Sequence, residues 1–254
     1  MVVRVSVTRV CGGLGLAVAL APALVWGQNP AGVMLQVSET AGIRRNFYPV
    51  HAVVSLPQGA LMEPTTTRLV SAQTGEEVGV QVTPASRWPD GSVESLLVDF
   101  NLSLGPEETR SFRFEYGPNV VMNADPGRGL SLVEASDVVQ VGRIRFGTNA
   151  NPLVLSVAYR DEAIAPGVNG FVVEETDGTR HTLGGAEVDL EIVREGPLYV
   201  ELRYTGEIAL GSGNEASFVI AVEMPNSKSW VKTSLQVDDP DQRLRTLSFH
   251  SPLA

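Results

Sequence analysis

Cysteine is nearly missing from this chain: the one present, Cys11, falls in the first dozen residues. Everything after it is without disulfide staples, a thiolate nucleophile or a thiolate metal site, so the core itself must carry stability. Histidine is almost as scarce. His51, His181 and His250 are far apart in sequence, and no pair has the close spacing of a His-Glu-x-x-His metal helix. Each reads as a structural or surface histidine. A Gly-x-Ser-x-Gly elbow is lacking, as is a phosphate-binding glycine loop leading into a helix. Beyond the N-terminus no run is apolar enough to span a membrane. Positive charge is the last deficit: once Arg4 and Arg9 are set aside with a leader, 17 basic residues face 29 acidic ones, a net charge of −12. That balance argues against nucleic acid and anionic lipid, which call for basic patches. An acidic polysaccharide is still allowed, because a cleft needs only local positive charge.

What is present begins with the N-terminus. Arg4 and Arg9 precede an apolar run over residues 13–25, and small Gly27 then meets polar Gln28. This is the three-part layout of a secretory signal, with cleavage expected near Gly27 and a periplasmic or extracellular destination for the remainder. A transmembrane anchor is the alternative, but the run falls short of about 20 apolar residues and contains Pro22. Cys11 stands at the start of the apolar run instead of its end, which speaks against a lipoprotein.

From Val33 onward the periodicity is two. Phe112, Phe114 and Tyr116 alternate with Ser111, Arg113 and Glu115, while Leu96, Val98, Phe100 and Leu102 oppose Asp99 and Asn101. The same alternation recurs at Val188, Leu190 and Ile192, at Leu198, Val200, Leu202 and Tyr204, at Phe218, Ile220 and Val222, and at Val231, Thr233, Leu235 and Val237. Turn signals such as Pro89-Asp90-Gly91, Gly105-Pro106 and Asp177-Gly178 separate these runs. Many short strands with glycine and proline between them predict an all-β protein, barrel or sandwich. The Gly/Pro/Asn-rich stretch within residues 116–129 reads as a linker. The expected organisation is a signal over 1–27, a small β-barrel over 28–118, a linker over 119–129 and an antiparallel β-sandwich over 130–254, the last possibly incomplete because the chain stops just after a strand-like run.

Few residues point to chemistry. Asp238-Asp239-Pro240-Asp241 offers oxygen ligands to calcium but lacks the glycine and distal glutamate of a calcium loop, so a solvated turn is the favoured reading and no cofactor is expected. A carboxylate pair for glycoside hydrolysis cannot be chosen among 29 acids. Asn101-Leu102-Ser103 matches a glycosylation acceptor. Arg87 and Trp88 sit before a turn, where a guanidinium beside an indole suits a sugar ring bearing a carboxylate; the competing role for Trp88 is to cap the core at the hairpin mouth. Trp230 is out of phase with Val231 and Leu235 and faces away from their apolar side.

Arg87-Trp88-Pro89-Asp90-Gly91-Ser92-Val93, the strand that follows, and Leu104-Gly105-Pro106-Glu107-Glu108 leading into Phe112-Arg113-Phe114-Glu115-Tyr116-Gly117 together resemble the N-terminal barrel of the exo-type rhamnogalacturonan lyases and their YetA-like relatives. Glu195-Gly196-Pro197-Leu198, Arg203-Tyr204-Thr205-Gly206 and Val237-Asp238-Asp239-Pro240 are similar to recurrent turns in the family's following β-sandwich. Where members commonly carry Arg-Trp after the Asp-Gly-Ser-Val turn, this chain has Glu94-Ser95. Complete lyases of the family are longer, so the resemblance implies a barrel-plus-sandwich portion that binds or degrades pectic polysaccharide once further domains or a partner chain complete it. No catalytic residue is carried over. Arg203 and Tyr204 would suit uronate chemistry, but alternation puts them on opposite faces. Two other expectations stand beside this one: a carbohydrate-binding module working through Trp88, and an envelope protein that pairs a partner strand along an open sandwich edge.

Overall fold

The computed structural model describes residues 3–9, 30–127, 129–160, 162–164, 167, 169–185 and 187–251. Cys11, the apolar run over 13–25 and the expected cleavage point at Gly27 lie outside them. The protein is all-β and antiparallel, with a single three-residue 3-10 turn, Gly211–Gly213, among the described residues. No helix among the described residues is long and apolar enough to cross a membrane. The chain divides into two compact units, Met1–Gly127 and Arg128–Ala254.

The first unit contains β1 (Val3–Arg9), β2 (Ala31–Glu39), β3 (Arg45–Ser55), β4 (Thr67–Ser71), β5 (Glu77–Val78), β6 (Val80–Arg87), β7 (Val93–Leu104) and β8 (Thr109–Tyr116). Their pairings give two sheets, β1-β2-β8-β4-β5 and β3-β7-β6. The inward sides of both meet in one core. Leu35, Val37, Leu69 and Phe114 face it from the first sheet; Val54, Leu96, Val98 and Phe100 face it from the second. Phe100 and Phe112 touch edge to face across it, with centroids 5.3 Å apart. Burying each such side chain is worth about 1.5–3 kcal/mol, which is why strict alternation fixes the register. Among the described residues the core begins at Val33. β1 pairs with β2 from Val3↔Glu39 to Arg9↔Val33 and forms that sheet's edge.

The expected linker is laced to this unit over most of its length. Val120 is buried, and Glu77 on β5 accepts N–H groups from Asn123 and from Ala124, the latter at 2.9 Å. Gly79 has no side chain because one would strike the backbone of Pro126.

The second unit has β9 (Leu132–Ala135), β10 (Val138–Val141), β11 (Ile144–Gly147), β12 (Val154–Tyr159), β13 (Glu162–Ile164), β14 (Gly170–Glu175), β15 (Arg180–Thr182), β16 (Asp189–Arg194), β17 (Tyr199–Ala209), β18 (Glu215–Pro225), β19 (Lys232–Asp238) and β20 (Leu244–His250). Three sheets result: the meander β13-β12-β11-β10-β9, the sheet β15-β14-β20 and the sheet β16-β17-β18-β19. They share a core containing Phe146, Val173, Leu202, Tyr204, Phe218 and Ile220. Gly206 on β17 is bare because the Phe218 ring of the neighbouring strand lies over it; a Cβ would come within 2.6 Å of that ring. The flank formed by β19 and β20 is thinly covered. Thr233, Leu235 and Val237 are half-buried, and Leu247 and Phe249, paired with buried Val173 and Phe171, stay exposed.

Candidate functional site

Arg87 and Trp88 close the β6–β7 hairpin. Trp88 O accepts from Gly91 N at 2.9 Å, Trp88 N donates to Ser92 O at 2.8 Å, and Gly91 takes a left-handed φ of 84° that only glycine adopts freely. Asp90 Oδ1 accepts both Ser92 N and Ser92 Oγ, and the Ser92 hydroxyl holds the Asp90 carboxyl below its ordinary value. The predicted pair is thus brought to one hairpin end, but with polar atoms engaged: the Trp88 indole donates to Leu56 O at 3.2 Å, and Arg87 Nη1 donates to Gly91 O at 2.7 Å and Met62 O at 3.1 Å. The indole itself is half-buried.

A site that sequence reasoning did not single out lies on the other sheet. Glu115 is on the outward side of β8, yet wholly buried. Its carboxylate accepts from Arg68 Nε on β4 at 2.6 Å and pairs with the Arg113 guanidinium, two residues back on its own strand. Register explains the meeting, since Arg68, Glu115 and Gly32 are direct cross-strand neighbours. Gly32 leaves room for the Arg113 stem, which a Cβ there would approach to 3.2 Å. Two guanidinium groups on one carboxylate leave the trio with an excess positive charge. Glu77 also feels Arg68, but its oxygens are engaged by Asn123 and Ala124.

Arg68 lines a cavity of about 370 Å³ at this end of the unit, with Tyr116, Asn119, Val120, Ala60 and Ala31 among its other walls. That volume is within the usual range of small-molecule pockets, about 300–1,000 Å³. With Nε fixed on Glu115, the terminal Nη1 and Nη2 of Arg68 make no hydrogen bond to any described residue, and the side chain keeps 34% of its exposure. A guanidinium anchored through Nε and open at its fork is built to receive a carboxylate or another planar anion in two parallel hydrogen bonds. The sequence does show Arg113 and Glu115 sharing one side of a strand. What it cannot show is that Arg68, some 45 positions away, is their neighbour.

The histidines fall in separate places. His51, outward on β3, stands with Nδ1 2.6 Å from Asp99 Oδ1, and Asp99 is buried although it faces outward from β7. His181 on β15 lies with Nε2 2.8 Å from Glu175 Oε1 on β14. Glu175, fully buried, also accepts Gly211 N at 3.1 Å and lies 3.4 Å from Arg243 Nη2. The His181 hydrogen bond holds its carboxyl below the ordinary value, burial pushes the other way, and the Gly211 amide adds to the lowering. His250 is exposed on β20, 3.1 Å from Ser248 Oγ.

Among the described residues no group of three or more His, Asp, Glu or Cys is arranged to hold a metal ion. In the acidic loop, Asp239 Oδ2 accepts Leu244 N at 2.7 Å and Asp239 O accepts Gln242 N, which is turn-closing work. Arg203 points outward to Glu191 while Tyr204 is buried inward, so strand alternation does separate them. No protein-family model matches this chain, and no curated protein matches it.

Proposed function

We propose that this chain is an exported glycan-binding β-protein whose first unit holds an acidic polysaccharide, the role expected of the barrel-plus-sandwich portion of a rhamnogalacturonan-lyase-like assembly. The observation that carries this reading is Arg68: a guanidinium tethered by a buried glutamate, with its fork open at the rim of a cavity, in a chain whose surface is otherwise dominated by negative charge. Such a chain repels anions in bulk and admits them only where cations are concentrated. Turnover belongs to this reading only when further domains or a partner chain supply the rest of a lyase centre.

The test uses the purified chain from Gln28 to Ala254. Affinity electrophoresis is run through gels holding rhamnogalacturonan, polygalacturonate, neutral galactan or no glycan, and ultraviolet absorbance is followed for unsaturated product. Retardation by the two uronate polymers, weakened by salt and lost in Arg68→Gln, with no rise in absorbance, is the expected result. Equal migration through all four gels by a folded sample would end the glycan reading. A rise in absorbance would show instead that the chain is a lyase by itself.

A further inference from the structure

A second feature of the first unit has no structural reason to exist. β3 opens on a bulge: Arg45 pairs with Leu104 and Tyr48 with Leu102, so Asn46 and Phe47 together oppose Ser103. Phe47 takes a left-handed φ of 46° and is 56% exposed. Its N–H donates to Ser103 Oγ at 2.8 Å, and its ring takes no part in the core. Glycine or asparagine would fit that backbone with less strain, and a bulky residue there is an outlier. The ring stays outside the core and more than half exposed, while the backbone bears its strain.

The surroundings are densely hydrogen-bonded. Buried Glu39 at the end of β2 accepts Ala41 N at 3.0 Å, Ile43 N at 3.2 Å and Glu107 N at 3.2 Å, and lies 3.4 Å from Arg45 Nη2. Arg45 in turn lies over the Tyr48 ring, 5.3 Å from its centroid. Glu107, held by the same carboxylate, is itself left-handed at φ 56°. Two left-handed residues thus flank the pair formed by Glu39 and Arg45, Glu107 bonded to Glu39 and Phe47 two positions on from Arg45, and backbone strain of this kind clusters at ligand clamps. The flanking Arg44 and Asn46 are exposed and polar, and Ile43 is the other large apolar residue exposed in the loop. An isolated ring with polar neighbours matches a pyranose, which has an apolar face and a hydroxylated rim, better than the broad apolar patch a protein partner needs.

We propose that Phe47 is a sugar-stacking platform, a glycan contact distinct from the Arg68 cavity; this rests on the glycan-binding reading above. The experiment compares wild type, Phe47→Gly and Phe47→Trp for thermal midpoint, for retardation by immobilised rhamnogalacturonan and polygalacturonate, and for sedimentation. Phe47→Gly is expected to raise the midpoint by a few degrees by releasing strain, while weakening glycan affinity about tenfold; Phe47→Trp is expected to restore affinity. A lowered midpoint in Phe47→Gly would make the ring structural, and unchanged affinity would remove its binding role; either overturns the platform while leaving the glycan reading in place. A change in sedimentation with unchanged glycan affinity would make it a self-association contact and overturn the platform as well. A wild type that binds no glycan overturns both readings together.

Discussion

Glu115 in the first unit and Glu175 in the second are both wholly buried carboxylates with cationic neighbours, yet they are put to different uses. Glu175 gathers β14, β15, the Gly211 amide and the turn before β20 around one pair of oxygens. Its partners come from separate segments and fasten them together. Glu115 gathers two arginines from adjacent strands that register has already joined, so it contributes less to closure. One of those arginines, Arg68, also lines a cavity, and its Nη atoms bond no described residue. A buried charge pair is weak grounds for stability and must be judged by what its partners do next. By that measure the second unit holds a fastener, and the first holds the receptor proposed above.

The sharpest way to break this contrast is Glu175→Ala. It takes the buried carboxylate from Arg243, the hydrogen-bond partner from His181 and the acceptor from the Gly211 amide, so the thermal midpoint of the second unit should fall on the order of 10 °C. Glycan retardation at temperatures where the variant is folded should stay at the wild-type level. Calorimetry paired with affinity electrophoresis reads both, and a loss of glycan affinity without a loss of stability would reverse the assignment. Arg68→Gln is the mirror experiment, with affinity for polygalacturonate falling tenfold or more and the midpoint falling less than in Glu175→Ala, since Arg113 still pairs with the buried Glu115.

Acid sharpens the same contrast. In the second unit the carboxyls of Glu174, Glu175 and Asp177, all at the β14–β15 hairpin, are held below their ordinary values, Glu174 by hydrogen bonds from Arg180 and Arg245 and Asp177 by the amide and hydroxyl of Thr179. A group whose folded value is depressed adds stability above its unfolded value and loses it as pH falls through the folded value. The ordinary glutamate value is 4.5, so protection should begin to fail below that pH. In the first unit the lowered carboxyls fall at three places, Glu39 with Glu108 at one loop end, Glu77 on β5 and Asp90 in the β6–β7 turn. Hydrogen exchange during acidification should therefore show β14, β15 and β20 opening as a block, with the first unit loosening piecemeal. Simultaneous opening of both units would count against the concentrated fastener.

Much of the fold was legible because strands with one buried side declare themselves. Leu96, Val98, Phe100 and Leu102 alternate in the sequence and line the core in the structure. The meander β9–β13 was not legible: its strands are three to six residues long, too short for period two to stand out, and Val133, Val157, Tyr159 and Ile164 remain exposed. Outward charge misled in another way. Asp99 and Glu115 sit where alternation predicts solvent, but both are buried, Glu115 beneath arginines that only sheet register brings near. The Arg68 corner is a property of pairing across three strands. No local pattern encodes it.

The smallest effect tests the hairpin residues first suspected of binding. Trp88→Phe preserves an aromatic ring at the β6–β7 turn but removes the indole N–H that donates to Leu56 O. A single part-buried hydrogen bond of this kind is worth about 1 kcal/mol, so chemical denaturation should show a loss near that size. If Trp88 closes the core end, glycan retardation should be unchanged in this variant and Trp88→Ala should lose stability further while binding normally when folded. If the indole instead faces a sugar, Trp88→Ala should abolish retardation with Arg68 still intact. That outcome would move the receptor from the Arg68 cavity to the hairpin and remove the distinction drawn between the two glutamates, because Glu115 would then be holding arginines that bind nothing.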